Sequence, residues 1–312
     1  MRRCMMLSKL CLIFLGFCST AYSVLPFYPD SKEVFVKNGD TTLFCRVFGE
    51  GDPIIVIHGG PGLSQDYLLP FMSSLAETHQ VIFYDQRSCG ASTGKIDSQS
   101  IQIQTYLDDL ESIRKHFGYK KFSVLGHSWG GFLAMQYAIF YPDSIHKLVL
   151  MNSLPASSEE YALFGQEWQK RMTPYLEELN RIKATPAFAE GDPGTMANYY
   201  RMIFERYCYH SEKTQKLNLT MTPEAFINGS KVYDIFNQSL FTRTYNYHEQ
   251  LNKVNLPTLI IHGDVDPIPF LTAEKTHASI KDSTYILIQN CGHFPYVETP
   301  EELFKHLNQF FN

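Results

Sequence analysis

Three residue types that together can make a hydroxyl nucleophilic occur in this 312-residue chain, each closing an apolar run. A serine stands in Gly126-His127-Ser128-Trp129-Gly130, acids in Gly263-Asp264-Val265-Asp266, and a histidine in Gly292-His293-Phe294-Pro295. A serine hydroxyl attacks poorly until an imidazole accepts its proton. The imidazole in turn needs a carboxylate to fix its tautomer and stabilise its cation. Gly-x-Ser-x-Gly alone also fits a glycine-rich turn with an incidental serine. Its place between the strand-like run 122–125 and the helix-competent run 132–140 favours the nucleophile. A strand that turns at once into a helix needs a strained turn residue, and flanking glycines remove Cβ atoms that would collide there. The helix N-terminus then places free N–H groups beneath the hydroxyl, where an oxyanion would form. Among the other histidines, His79, His116 and His306 read as helix or loop surface, and His127 as aimed away from the serine.

The elements that must position these residues follow from hydrophobic patterning. Runs 33–37 and 43–48, joined by Asn38-Gly39, read as a hairpin. Run 53–57 is continuously apolar, as expected of a strand buried on both faces of a mostly parallel sheet. It ends in His58-Gly59-Gly60-Pro61-Gly62, a loop whose backbone can approach a ligand; the N–H of Gly60, with Gly59 as a second candidate, could face Ser128. Run 80–84 is the next buried strand. The loop after it, Asp85-Gln86-Arg87-Ser88-Cys89-Gly90-Ala91-Ser92, carries charges that need partners and reads as a hydrogen-bonded brace behind the site. Cys89 has no obvious base beside it and reads as a structural thiol.

A helical stripe at 105–117 and a strand at 146–151 extend an α/β pattern. Between 157 and 250 the buried-strand pattern stops, with helical runs at 161–181 and 197–208; this reads as an inserted helical cap over the strand ends. Strands at 256–261 and 284–288 and a helix at 300–311 complete the pattern. The domain reading is therefore a core of 24–156 and 251–312 interrupted by a cap of 157–250.

Residues 1–23 read as a cleaved secretory signal. Arg2, Arg3 and Lys9 precede the apolar run 10–18, and Ala21-Tyr22-Ser23 offers a cleavage site. The run is short of the ~20 residues needed to span a bilayer, so no stable membrane insertion is expected after cleavage. Export to a periplasm or beyond the cell is the expected location. Loss of three positive charges would leave 24 basic against 32 acidic residues, a net charge of −8. That balance, without a basic block, argues against a nucleic-acid partner. Four cysteines would remain (Cys45, Cys89, Cys208 and Cys291), none in Cys-x-x-Cys, so no zinc site is expected. Sequence alone does not decide their pairing.

The order serine, acid, histidine is that of α/β-hydrolases. With His58-Gly59-Gly60-Pro61-Gly62, Asp85-Gln86-Arg87-Ser88-Cys89-Gly90-Ala91-Ser92 and Gly126-His127-Ser128-Trp129-Gly130-Gly131, the chain resembles the proline iminopeptidase (prolyl aminopeptidase) family, including the tricorn-protease accessory aminopeptidases. The resemblance covers about 30–155 and 255–312; Ser88 stands where the family usually has glycine. It implies an α/β-hydrolase fold, with a mostly parallel sheet flanked by helices and an inserted helical cap. It also implies a triad of Ser128, Asp266 and His293, with Asp264 a loop-stabilising carboxylate and the N–H groups of Gly60 and Trp129 forming the oxyanion hole. The implied activity is release of N-terminal proline or other residues from short peptides, without metal or organic cofactor. Family members hold the substrate amine with cap glutamates; Glu205 is the candidate here, and an ordinary exposed helix glutamate is the equal alternative. A carboxylesterase or lipase-type hydrolase of small esters is the nearest rival. A binding protein on a retained hydrolase scaffold is the more distant one.

Overall fold

The computed structural model describes residues 28–312, so the signal reading of 1–23 lies outside the described residues. The described chain forms an eight-stranded sheet: β1 (Lys32–Asn38), β2 (Thr41–Phe48), β3 (Pro53–Ile57), β4 (Gln80–Tyr84), β5 (Phe122–His127), β6 (Ile145–Met151), β7 (Thr258–Gly263) and β8 (Ser283–Ile288). Their spatial order is β1-β2-β4-β3-β5-β6-β7-β8. The β1–β2 and β2–β4 pairs are antiparallel, and every later pair is parallel.

The side-chain period of two divides the strands between two cores. Ile55 and Ile57, Ile82 and Tyr84, Leu148 and Leu150 enter one core. Their neighbours Ile54 and Val56, Val81 and Phe83, Val149 and Met151 enter the other. This explains the unbroken apolar runs, because a strand covered on both faces has no solvent side to mark with polar residues. Each of the fully buried side chains from Ile54 to Ile57 stabilises the fold by about 1.5–3 kcal/mol relative to exposure. The first core is covered by α1 (Ile103–His116) and α2 (Trp129–Phe140), through Leu107, Leu110, Phe132 and Leu133.

Between β6 and β7 the chain is helical: α3 (Ser158–Met172), α4 (Leu176–Lys183), α5 (Pro186–Ala189), α6 (Pro193–Phe204), α7 (Pro223–Phe236) and α8 (His248–Leu251). After β7 come α9 (Phe270–Ser279), α10 (Pro295–Glu298) and α11 (Pro300–Phe311), the last covering the second core through Leu303, Leu307 and Phe311.

Three local expectations are corrected. The run 161–181 is two helices, because Pro174 lacks the N–H that a continuous helix needs, and a 3₁₀ turn at Thr173–Tyr175 separates them. The run 197–208 starts earlier, at Pro193, where Asp192 caps the helix by accepting from the Thr195 N–H at 2.8 Å. His79 is buried, its ring packed against Phe311 and hydrogen-bonded to Thr78.

The topology chooses where a site can form. From β3 the chain first crosses to β4 on one side and then to β5 on the other. The loops leaving β3 and β5 therefore diverge and open a crevice at the carboxyl ends of those strands. His58–Gly62 and Ser128 lie on those two loops.

Candidate active site

Ser128 joins β5 to α2 at φ 59° and ψ −122°, a conformation that costs a non-glycine residue free energy of order 1–3 kcal/mol. Its neighbours allow it. A Cβ on Gly126 would stand 2.2 Å from the Gly130 carbonyl oxygen, and one on Gly130 would stand 2.1 Å from that of Ile57. The strain is held by the Ser128 N–H donating to Met151 O (3.0 Å) and the Ser128 carbonyl accepting from the N–H groups of Gly131, Phe132 and Leu154. Ser128 is half-buried inside an otherwise buried stretch, so its hydroxyl meets the crevice.

The imidazole of His293 and the carboxylate of Asp266 come together. His293 Nδ1 lies 2.8 Å from Asp266 Oδ2, and both residues are buried. A carboxylate can only accept, so Nδ1 carries the proton and Nε2 keeps its lone pair, the tautomer a base requires. Asp266 Oδ2 also accepts from Asn152 Nδ2 at 2.6 Å, and Oδ1 from the Ile268 N–H at 2.8 Å. Burial alone would raise the Asp266 carboxyl. The His293 and His262 imidazoles and the hydrogen bonds from His293 and Asn152 outweigh it and hold that carboxyl below the ordinary range. Asp264 does something different: its Oδ1 accepts from the Cys291 N–H at 3.1 Å and shapes the loop before His293.

The backbone around His293 is tied on every side. Its N–H donates to Tyr207 O (2.9 Å), and its carbonyl meets His127 Nε2 at 2.8 Å. Glu298, buried, takes the N–H groups of Gly292 (3.0 Å) and Phe294 (3.3 Å) on Oε1, and those of Tyr209 (2.8 Å) and His210 (3.1 Å) on Oε2. One carboxylate thus joins the turn carrying His293 to the segment after α6. Arg171 adds a second tie, donating to the carbonyls of Arg206 (3.1 Å) and Val265 (2.8 Å). No hydrogen bond joins the Ser128 hydroxyl to His293 among the described residues; such contacts commonly tighten when substrate binds. The rings of His127 and His293, with centroids 4.8 Å apart, show how closely the two loops adjoin.

The β4 loop is the brace its charges required. Gln86 Nε2 donates to His58 O (2.6 Å), and Gln86 Oε1 accepts from the Trp129 indole (2.9 Å), so one amide grips the loops after β3 and β5. Arg87 pairs with Asp109 through two bonds of 2.9 and 2.8 Å. Asp85 accepts from the N–H groups of Gln65 (2.9 Å) and Ala91 (2.7 Å). Cys89 is buried, and burial pushes its thiol well up. The four cysteines Cys45, Cys89, Cys208 and Cys291 are all free. The N–H groups of Gly60 and Trp129 donate to no acceptor among the described residues, whereas that of Gly59 is taken by Tyr67 Oη at 2.6 Å. Gly60 therefore remains the candidate donor from this loop. Glu205, just after α6, pairs with Arg206 at 3.1 Å, two residues before the Tyr207 carbonyl that receives His293.

The sequence profile of the family described as alpha/beta hydrolase fold matches residues 52–300. A proline iminopeptidase of Saccharolobus solfataricus is 30% identical over 89% of this chain and 90% of its own. This chain is an alpha/beta hydrolase of the proline iminopeptidase family. A proline iminopeptidase of Clostridioides difficile is 28% identical, covering 86% of this chain and 94% of its own. Among solved structures, the proline iminopeptidase of Mycobacterium smegmatis superposes with a TM-score of 0.66 at 25% identity, over 89% of this chain and 97% of that one.

Within this family framework, the sequence reading missed Tyr67, Asn152 and Glu298 as residues that organise the site. Two of them carried a signal. Asn152 directly follows a buried parallel strand, and Glu298 falls within a buried, apolar stretch six residues after Gly292. A carboxylate so placed must find donors.

Three buried histidines of the site predict acid lability. Burial pushes the His58 imidazole down to about 4 and that of His127, also facing the His293 ring, to about 3; burial lowers His262 too. In the unfolded chain the same groups take up protons near pH ~6.5. Below that pH the unfolded state binds more protons, so stability is full above it and falls as the pH drops towards ~4. Urea midpoints measured from pH 8 to 4 should fall steadily below about pH 6.5, with an uptake of about two or more protons on unfolding. A flat profile would contradict buried neutral imidazoles.

Proposed function

We propose that this chain is an exported serine peptidase that releases the N-terminal residue, preferably proline, from short peptides through an acyl-enzyme on Ser128. The observation that carries the proposal is the buried His293–Asp266 pair, at 2.8 Å, on a loop bonded to the residue preceding a strained Ser128. In this reading Ser128 attacks the scissile carbonyl while His293 Nε2 takes its proton. The same imidazole then gives that proton to the leaving amine, and Asp266 orients the ring and stabilises its cation. Water repeats the cycle to free the acid. The N–H groups of Gly60 and Trp129 hold the oxyanion, a contribution worth about 3 kcal/mol per donor. Glu205 is the proposed partner of the substrate's free amine.

The test compares proline 4-nitroanilide with 4-nitrophenyl acetate on purified protein. Higher kcat/KM on the anilide, and loss of that preference when the proline amine is acetylated, support the aminopeptidase. Ester cleavage with negligible anilide cleavage would make it a carboxylesterase. Export rests on residues 1–23. N-terminal sequencing of the secreted or periplasmic protein should then start near residue 24, and an intact Met1 on a cell-retained protein would reject export.

A further inference from the structure

A single chain of hydrogen bonds runs through all three loops of the site. The Gly59 N–H lies 2.6 Å from Tyr67 Oη, Tyr67 Oη 2.7 Å from His127 Nδ1, and His127 Nε2 2.8 Å from the His293 carbonyl oxygen. Both side chains are buried, Tyr67 at 3% and His127 at 1% exposure. The donors and acceptors leave only one proton arrangement. A carbonyl oxygen accepts and never donates, so Nε2 of His127 must carry the hydrogen. A neutral imidazole has one N–H, so Nδ1 presents its lone pair and must receive the Tyr67 hydroxyl proton. The Gly59 amide then fills an acceptor position on Tyr67 Oη. The electrostatics agree: burial pushes the His127 imidazole down to about 3 and so keeps it neutral, and burial pushes the Tyr67 phenol up and so keeps it protonated.

We infer that Tyr67 is a positioning residue, acting through His127 to hold the Gly59 loop, the Ser128 turn and the His293 loop in one register. The inference rests on His293 being the base and Ser128 the nucleophile. Tyr67 touches neither reacting atom. Its hydroxyl donates to His127 Nδ1 and so anchors the ring whose Nε2–H holds the His293 carbonyl. On its other side the hydroxyl removes the Gly59 N–H from competition with that of Gly60. The packing leaves no slack, since a Cβ on Gly59 would stand 2.7 Å from Tyr67 Oη and 3.0 Å from Ser128 Cβ. Without the hydroxyl, the buried Nδ1 lone pair of His127 has no donor. The ring can then turn away from the His293 carbonyl that its Nε2–H holds at 2.8 Å, and the loop carrying the base loses that tie.

The experiment has two arms on the full chain. In the first, protein labelled with ¹⁵N-histidine is examined by long-range ¹H–¹⁵N correlation at pH 7.5, with the His127 signals assigned by their loss in His127→Asn. The expected result in the unsubstituted protein is the Nε2–H tautomer; the Nδ1–H tautomer would overturn the inference. This arm needs no Tyr67 variant, so it decides even if the second arm's variant does not fold. In the second, Tyr67→Phe should remove the hydrogen bond to His127 Nδ1, read as a downfield shift of that unprotonated nitrogen. It should also slow fluorophosphonate acylation of Ser128, per titrated site, by roughly ten- to hundredfold, with KM for proline 4-nitroanilide changed less than threefold. A lower melting temperature with an unchanged acylation rate would reduce Tyr67 to a packing residue and overturn the inference. Absence of acylation in the unsubstituted protein would instead reject the serine-hydrolase reading and leave the tautomer arm standing.

Discussion

Ser128→Ala should lower kcat for proline 4-nitroanilide by a factor on the order of 10⁶, to a residue of activity supported by oxyanion donors and binding alone. The expectation follows from the division of labour in the site. The Asp266–His293 pair has one function in the proposed cycle, to move the serine proton, and without the hydroxyl it has nothing to activate. The variant should fold, because the backbone of Ser128 makes the hydrogen bonds that hold the turn (3.0 Å to Met151 O among them), and its side chain makes none among the described residues. Near-unchanged melting with turnover lost is the signature. Retention of more than about a hundredth of kcat would move the nucleophile elsewhere.

Asp266→Asn should lower kcat by about 10³–10⁴ with little change in KM. Three donors face this carboxylate: His293 Nδ1 and Asn152 Nδ2 on Oδ2, and the Ile268 N–H on Oδ1. An amide has one oxygen, so either way round a donor meets a donor. With the NH₂ group at Oδ2, His293 is driven to the tautomer with its proton on Nε2, where it cannot act as a base. With the NH₂ group at Oδ1, the tautomer survives, but the negative charge that stabilises the imidazolium is gone. Asp264→Asn is the control, because that carboxylate accepts only the Cys291 N–H among the described residues, at 3.1 Å. Its kcat loss should stay within about tenfold. Equal losses in the two variants would contradict the assignment of Asp266 as the orienting acid.

The fold was legible where burial on both faces wrote an unbroken apolar run. β3 and β4 fall where 53–57 and 80–84 were read, and α11 where 300–311 was read. The helices between β6 and β7 were read less well because capping residues, rather than hydrophobic periodicity, set their ends: Pro174 splits one run, and Asp192-Pro193 opens another four residues early. Ser128 and His293 stood out as candidates because each follows a strand in a turn of unusual composition, whereas Asp266 was separated from Asp264 only by the family resemblance. Tyr67 and His127 were not legible as partners, since a hydrogen bond between residues 60 apart, or 166 apart as for His127 and His293, leaves no local pattern. His79 misled for the same reason: a polar residue beside a turn looks exposed until Phe311, at the far end of the chain, packs against it.

The central claim is that Ser128 forms a covalent intermediate, and intact-mass analysis tests it most directly. Protein mixed with proline 4-nitrophenyl ester and quenched within milliseconds should carry one prolyl adduct per chain, mapped by proteolysis to the peptide containing Ser128. The size of the 4-nitrophenol burst should match the enzyme concentration. Folded protein that turns the substrate over with no adduct, or with the adduct on a cysteine such as Cys89, would contradict the account.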